Sequence, residues 1–402
     1  MRVVVFQPFG GVGHLDSWAR MILVALEKCG TSTVFVAPRS TCNYVDDYFI
    51  EARRQGSLAV IPLDTRLRGL ARPLWLITSF ALRINSVIFG RCDWRASPLT
   101  ILRAVDLVAQ SEFKSPEIVF LPYLDGFNLR GTEWRLTKHL LKKLIIGIRF
   151  VGSVEARNPL SHSIDAVALL DEKLVAQGNL HQQRTRYVFL PDISPIDHRK
   201  PGDGLEEKIQ SFVSDRKCVL LAGAISNRKS PRLWIDLIES ADPQEWAFVQ
   251  VGKIAWTSLS SDIARKLRNA HREHSQKFLM IDEYVSEAEF SSAFAVTDVV
   301  FAVYDNFFDS SNLISHAAQH QRPLLVASSG VMASRVEEYG LGEVCCDTTP
   351  KAMLSQLARL VAKGVSPEGR FRYLQRFNES TFNSAICELL SIATNSESGN
   401  ND

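Results

Sequence analysis

The sequence predicts an α/β protein of two units of similar size, each a mostly parallel sheet with helices on both faces. Three observations predict it. Short β-rich apolar runs alternate with segments whose apolar residues recur at helical spacing. The alternation stops at Pro191–Gly204 (PDISPIDHRKPGDG), a Pro-, Gly- and Asp-rich linker, and then restarts. The composition is globular, with 402 residues, 46% hydrophobic, 22% charged and net charge +2. That length suits two or three domains of about 100–200 residues, each with its own core. The same values exclude a disordered, collagen-like or coiled-coil chain, and they argue against a nucleic-acid partner.

The first unit opens as strand, glycine loop and helix: Val3–Phe6, then Gly10, Gly11 and Gly13, then Asp16–Leu26 with Trp18, Ile22, Ala25 and Leu26 at helical spacing. Further strands are read at Thr33–Val36, Leu58–Pro62, Ile118–Leu121, Ile145–Val151, Ile164–Leu170 and Tyr187–Leu190. After the linker, strands are read at Cys218–Leu221, Trp246–Val251, Phe278–Ile281, Val299–Val303 and Leu324–Ala327. Helices are read at Pro231–Glu239, Ser261–His274, Glu287–Ala295, Asn312–Gln319, Met353–Ala362 and Arg370–Ile392. Two such units enclose a cleft, and ligands of these sheets bind beyond the carboxyl ends of the strands.

The seven cysteines are odd in number and show no CxxC spacing, so reduced thiols are expected and neither a disulfide framework nor a zinc site is. The apolar stretches Leu74–Phe89 and Leu140–Val154 are interrupted by Arg83, Lys142, Lys143 and Arg149, and fall short of the roughly 20 apolar residues of a spanning helix. A cytoplasmic protein, soluble or peripheral at a membrane, is expected.

Three constellations carry chemistry. The loop Gly10-Gly11-Val12-Gly13-His14 lets backbone N–H groups approach an anion, although its spacing is not GxGxxG and a plain tight turn would look the same. The segment Gly223-Ala-Ile-Ser-Asn-Arg228-Lys229 follows a strand and precedes a helix; a fork and a point charge there can neutralise a diphosphate, where most Arg–Lys pairs are solvated. The segment Asp309-Ser310-Ser311-Asn312 opens a helix carrying His316. Its hydroxyls and amide can cap that helix, and its N–H groups can hold a phosphate.

The second half resembles the donor domain of GT-B glycosyltransferases of the family-4-like group. The resemblance rests on Gly223–Lys229, on Phe278–Phe290, on Ala295–Phe301, and on the small-residue loop, helix and Arg322–Ser328 strand, over about Lys217–Leu360. The first half matches more loosely, through Gly10–Gly13 and Val167–Leu170 with Asp171 and Glu172. The resemblance implies two Rossmann-like domains with parallel sheets facing across a cleft. The boundaries are 1–195 for the acceptor domain, 196–204 for the linker, 205–375 for the donor domain, and 376–402 for a terminal helix returning to the first domain, with a polar tail.

It implies a nucleotide-sugar donor as substrate, with no cofactor and no metal, a glycan or lipid-linked acceptor, and retaining transfer in polysaccharide or glycoconjugate biosynthesis. Arg228 and Lys229, with Gly11, Gly13, Ser310, Ser311 and Asn312, would hold the diphosphate. The segment Asp282–Val285, with Glu283 and Tyr284, would lie against the base, and Gly223, Asp309 and His316 against nucleoside or sugar. The family's Glu-x7-Glu pair is absent: aligned on Arg322-Pro323, Phe308 and His316 stand in its places. That departure keeps a non-catalytic GT-B regulator or scaffold as an alternative, with a sugar-nucleotide epimerase as another.

Candidates for acceptor-side chemistry are His14 and Asp125, with Asp16 and Glu155 beside them. Each has a plainer reading: a packed loop histidine, a turn former beside Gly126, an N-cap, and a solvated partner of Arg157. Between Arg66 and Arg103, seven arginines interleave with large apolar residues, and a second cluster joins Lys138, Lys142, Lys143 and Arg149. Both suit an anionic membrane surface, or core helices with snorkelling cations.

Overall fold

The computed structural model describes residues 1–9, 14–65, 96–111, 113, 115–127, 133–150, 163–180, 185–194 and 204–398. The chain forms two compact units, Met1–Pro191 with Ser380–Asp402, and Asp192–Glu379.

The first unit runs β1 (Arg2–Phe6), α1 (His14–Lys28), β2 (Ser32–Ala37), α2 (Arg39–Tyr48), α3 (Ile50–Arg54), β3 (Leu58–Pro62), α4 (Thr100–Ala109), β4 (Ile118–Leu121), α5 (Glu133–Leu141), β5 (Leu144–Arg149), β6 (Ala166–Leu169), α6 (Glu172–Leu180) and β7 (Arg186–Phe189). Among the described residues its seven strands are parallel in the order β3-β2-β1-β4-β5-β6-β7. Val3–Phe6 and Ile118–Leu121 are buried on both faces, which is why their runs are continuously apolar rather than alternating. Phe6, Phe127 and Trp134 pack with rings about one diameter apart, 6.1 Å and 6.0 Å.

The terminal helix, Glu379–Ser398, belongs mainly to this unit, and its Phe382 ring meets Trp18 at 5.4 Å. It corrects the expectation of reduced thiols: Cys29, just past α1, is disulfide-bonded to Cys387 on this helix, with Cα atoms 5.8 Å apart. Spacing cannot reveal such a bond, because 358 residues separate its ends and only the returning helix brings them together. The remaining described cysteines, Cys42, Cys218, Cys345 and Cys346, are free thiols.

The second unit runs α7 (Leu205–Val213), β8 (Lys217–Ala222), α8 (Pro231–Ser240), β9 (Trp246–Val251), α9 (Ser261–Glu273), β10 (Phe278–Ile281), α10 (Glu287–Ala295), β11 (Val299–Ala302), α11 (Leu313–Gln319), β12 (Leu324–Val326), α12 (Gly330–Tyr339), β13 (Gly342–Val344), α13 (Pro350–Lys363) and α14 (Pro367–Arg376), before the terminal helix α15. Its six parallel strands follow the order β10-β9-β8-β11-β12-β13. Trp234 of α8 anchors one face, its ring 5.3 Å from Phe248 and 5.4 Å from Phe301. The single terminal helix read over Arg370–Ile392 is two helices: the backbone leaves helical geometry at Phe377, whose ring stacks 4.3 Å from Tyr373. Among the described residues, no helix is long and apolar enough to cross a membrane.

Candidate functional site

In the second unit β8 leads to β9 on one side, while β11 joins β8 on the other. The strand order therefore reverses between β8 and β11, and an open parallel sheet has its ligand crevice at such a point, outside the carboxyl ends. Gly223–Lys229 follows β8 and Val303–Asn312 follows β11, so both loops meet there. A bond from the Asp305 N–H to the Arg228 carbonyl, 2.8 Å, ties them together.

The adjacent cations of this loop part company. Asn227–Lys229 is a 3-10 turn that points Arg228 outward and Lys229 inward. The Arg228 guanidinium is exposed and lies 4.7 Å from the centre of the Phe307 ring. Lys229 is only 4% exposed. Its ammonium donates to the Ala222 carbonyl and, at 3.0 Å, to the Tyr304 hydroxyl. Burial, reinforced by the Arg228 charge, lowers its pKa to about 7. The Tyr304 hydroxyl is pushed up by burial in turn, with Arg228 opposing.

Two glycines make room for this arrangement. Gly223 has φ +90°, and a Cβ there would sit 2.9 Å from the Lys229 ammonium; Gly252, φ +130°, would drive a Cβ to 2.4 Å from the Gly223 carbonyl oxygen. The loops after β8 and β9 can thus run in contact, joined by bonds from the Ile225 N–H to the Lys253 carbonyl and from the Ala255 N–H to the Ile225 carbonyl. Asp282, after β10, locks the neighbouring loop by accepting from the Ile254 N–H at 2.8 Å and the Trp256 indole at 2.7 Å, with Lys253 at 3.3 Å. Desolvation works against its charge, but these bonds hold the carboxyl below its usual value. Glu283 and Tyr284 follow, both exposed, Tyr284 at 60%.

The Asp309–Asn312 segment departs from a simple cap. Ser310 donates to the Asp192 carboxylate at 2.7 Å and accepts from Arg335 at 2.6 Å. Ser315 donates to the Asp192 carbonyl. Asp192 is buried, and desolvation raises its pKa to about 6 against the pull of Ser310 and Arg335. Only Ser311 turns its hydroxyl to the helix start, accepting from the Leu313 N–H at 3.4 Å, while Asn312 offers no side-chain cap to the seven-residue α11. His316 lies inside, 4% exposed, stacked on Phe294 with centroids 5.1 Å apart and edge-on to Phe290. Phe308 is exposed, and its backbone packs on Gly330.

The structure thus brings together Gly223, Arg228 and Lys229 with the loop after β11; Ser310 serves the buried Asp192–Arg335 network and His316 packs between phenylalanines. Reading the sequence missed Tyr304, Phe307 and Gly252. The signal available was position: each stands just beyond the carboxyl end of a strand, as Arg228 does.

In the first unit the order reverses between β1 and β4. Gly11 and Gly13 lie outside the described residues, as does the His14 side chain, though His14 opens α1. Asp125 sits in the 3-10 turn after β4, buried, and its carboxylate accepts from Arg149 at 2.9 Å and from the Phe150 N–H at 2.7 Å. Asp16 is buried in the first turn of α1, its pKa raised by desolvation. Glu155 lies outside the described residues, and so does the basic stretch from Arg66 to Arg95. In the second basic cluster, Lys138 pairs with Asp165 at 2.5 Å and Arg149 is interior. Lys142 and the neighbouring Leu136 and Leu140 are exposed.

No protein-family model and no curated protein matches the chain. Solved structures do. Anabaena HepE, in complex with UDP and glucose, aligns over 97% of this chain and 99% of its own, with TM-score 0.63 at 12% identity. Sucrose-phosphate synthase from Thermosynechococcus elongatus aligns over 97% and 98%, with TM-score 0.63 at 11% identity. A glycosyltransferase from Rickettsia africae aligns over 100% and 99%, with TM-score 0.60 at 9% identity. These likenesses, together with the two parallel-sheet halves, establish the GT-B fold for this chain.

Proposed function

We propose that the protein is a glycosyltransferase that binds a nucleotide-sugar donor on the carboxyl edge of the second unit and passes the sugar to a glycan or lipid-linked acceptor held by the first. The observation that carries this reading is the β8–β11 switch point, where exposed Arg228 and buried Lys229 share one turn. A diphosphate needs such cations, since two negative charges cannot be desolvated unpaired. Glu283, Tyr284 and Gly223 lie along the same edge for the nucleoside, and Asp309, Ser311 and Asn312 beside it for diphosphate and sugar.

In the transfer, the bond from the sugar's anomeric carbon to the β-phosphate oxygen breaks, the nucleoside diphosphate leaves, and an acceptor oxygen bonds to that carbon. The acceptor's proton passes to the departing phosphate, which suits a retaining reaction without a protein base. Asp125, whose carboxylate accepts from Arg149 and the Phe150 N–H, takes a structural part in this reading. Assembly of polysaccharide or glycoconjugate is the setting such an acceptor implies. A peripheral position on anionic membrane is supported by exposed Leu136 and Leu140 beside Lys142. It predicts salt-sensitive binding to anionic and not neutral liposomes, and equal binding to both would overturn it.

The decisive test is release of nucleoside diphosphate from a panel of UDP-, GDP- and ADP-sugars. UDP-glucose comes first, since HepE has been solved with it. Release from one donor is expected. The phenylalanine and histidine at 308 and 316, in place of carboxylates, favour a second reading, a nucleotide-binding regulator; binding without release would select it. Absence of binding across the panel would overturn both.

A further inference from the structure

Lys229 is enclosed, and among the described residues no carboxylate pairs with its ammonium. Among the described residues it bonds only to the Ala222 carbonyl and the Tyr304 hydroxyl, and the Tyr304 ring centre lies 4.9 Å from its nitrogen. Each neighbouring element withholds compensating charge. Its own turn supplies a second cation, Arg228. The end of β8 supplies a carbonyl and Gly223, and the loop after β9 approaches with Gly252, beyond which Lys253 is paired to Asp282. The loop after β11 supplies a phenol, with Asp305 exposed to solvent. A buried cation in such company is costly until an anion arrives, because burial disfavours the charged form and an opposite charge restores it.

We propose that an anion seated on the Gly223–Lys229 loop draws a proton onto Lys229, and that Tyr304 is the positioning residue that holds the amine beneath the anion. The inference rests on the donor reading above and adds a coupling to it: binding of the diphosphate and protonation of Lys229 are one equilibrium. A midpoint near neutral pH for the free amine agrees with this, since the buried group is then only part-protonated where the protein works. Tyr304 contributes an acceptor oxygen that favours the charged amine, so its removal lowers that midpoint further.

The experiment uses the full chain and UDP-, GDP- and ADP-glucose, whose diphosphate diesters do not titrate near neutral pH, so any proton taken up belongs to the protein. Calorimetric titrations near pH 8, in buffers of different ionisation enthalpy, read the protons bound. About 0.4–0.9 proton per sugar nucleotide is expected, with affinity falling by up to about tenfold per pH unit above the free midpoint. Lys229→Arg, which cannot lose its charge, and Lys229→Met should both show no uptake and an affinity flat with pH.

In parallel, the carbon-13 shift of the Lys229 Cε, assigned by its absence in Lys229→Met, follows the amine in the free protein. It should titrate near neutral pH and move upward by at least one unit when the sugar nucleotide is saturating. Tyr304→Phe keeps the ring and should lower the free midpoint; a purely structural tyrosine would leave it unmoved. Binding by the wild type without proton uptake, or a free amine that stays charged to high pH, overturns the coupling and leaves the donor reading standing. Normal titration with no sugar nucleotide bound overturns the donor reading, and the coupling with it.

Discussion

Arg228 and Lys229 are adjacent in sequence and opposite in environment, so their substitution should separate binding from stability. Arg228→Ala removes an exposed charge-assisted contact worth about 1.5–3 kcal/mol, which weakens donor binding roughly tenfold to a hundredfold, as calorimetry would show, and leaves the melting temperature nearly unchanged. Lys229→Met should also weaken binding while stabilising the free protein. Its folded pKa, about 7, lies below the unfolded value of 10.5. The folded state therefore loses stability as pH falls from the unfolded value toward the folded one, and the mutant's thermal advantage should grow over that window. Asp192 runs the other way: folding raises its pKa from 3.8 to about 6, so stability is lost as pH rises through that window. Asp192→Asn, which keeps an acceptor for Ser310, should gain on the wild type in melting temperature over the same rise. A difference flat with pH would refute either assignment. Which cation turns inward was not legible in the sequence, because it depends on Tyr304, 75 residues away.

The loops that carry the site depend on glycines whose backbones touch. Gly252→Ala would place a methyl group against the Gly223 carbonyl at a φ that L-residues rarely adopt. A cost of about 1–3 kcal/mol in denaturant unfolding is expected, with donor affinity falling as the Gly223 loop is displaced. An unchanged unfolding midpoint would mean the two loops separate freely. At this scale the sequence was most informative where burial on both faces leaves a continuous apolar run, as at Val3–Phe6, Ile118–Leu121 and Trp246–Val249. It was silent at β13, whose Gly-Glu-Val is a half-buried edge with no such run. It was silent again at α12, which starts at Gly330, where φ is +85°. The arginine-and-lysine loop was visible because it follows a strand and Gly223 and precedes a helix opened by Ser230 and Pro231. At Asp125 and His316 the residue type was legible but its neighbours were not: the structure pairs the carboxylate with Arg149 and packs the histidine on Phe294.

The first unit is discontinuous, since Ser380–Asp402 folds with Met1–Pro191. The terminal helix brings fully or nearly buried Phe382, Ile386, Leu389 and Leu390, together worth about 6–12 kcal/mol of burial. The bond between Cys29 and Cys387 adds about 2–5 kcal/mol on the usual scale for native disulfides. A domain's whole net stability is about 5–15 kcal/mol, so loss of the helix should abolish the folded first unit rather than merely weaken it. The second unit keeps its own sheet, its Trp234-centred core and the complete Arg228–Lys229–Tyr304 loop set within Asp192–Glu379. A chain ending after Asn378 should therefore lose transfer activity and the slow-exchanging amides of β1, β2 and β4, while β8, β9 and β11 stay protected and sugar nucleotide still binds. Hydrogen exchange read by mass spectrometry, with calorimetry on the same sample, distinguishes the cases. Uniform loss of protection in both sheets would show that the second unit cannot stand without the first. Full protection in the first sheet would show that the helix and its disulfide contribute far less than their burial indicates.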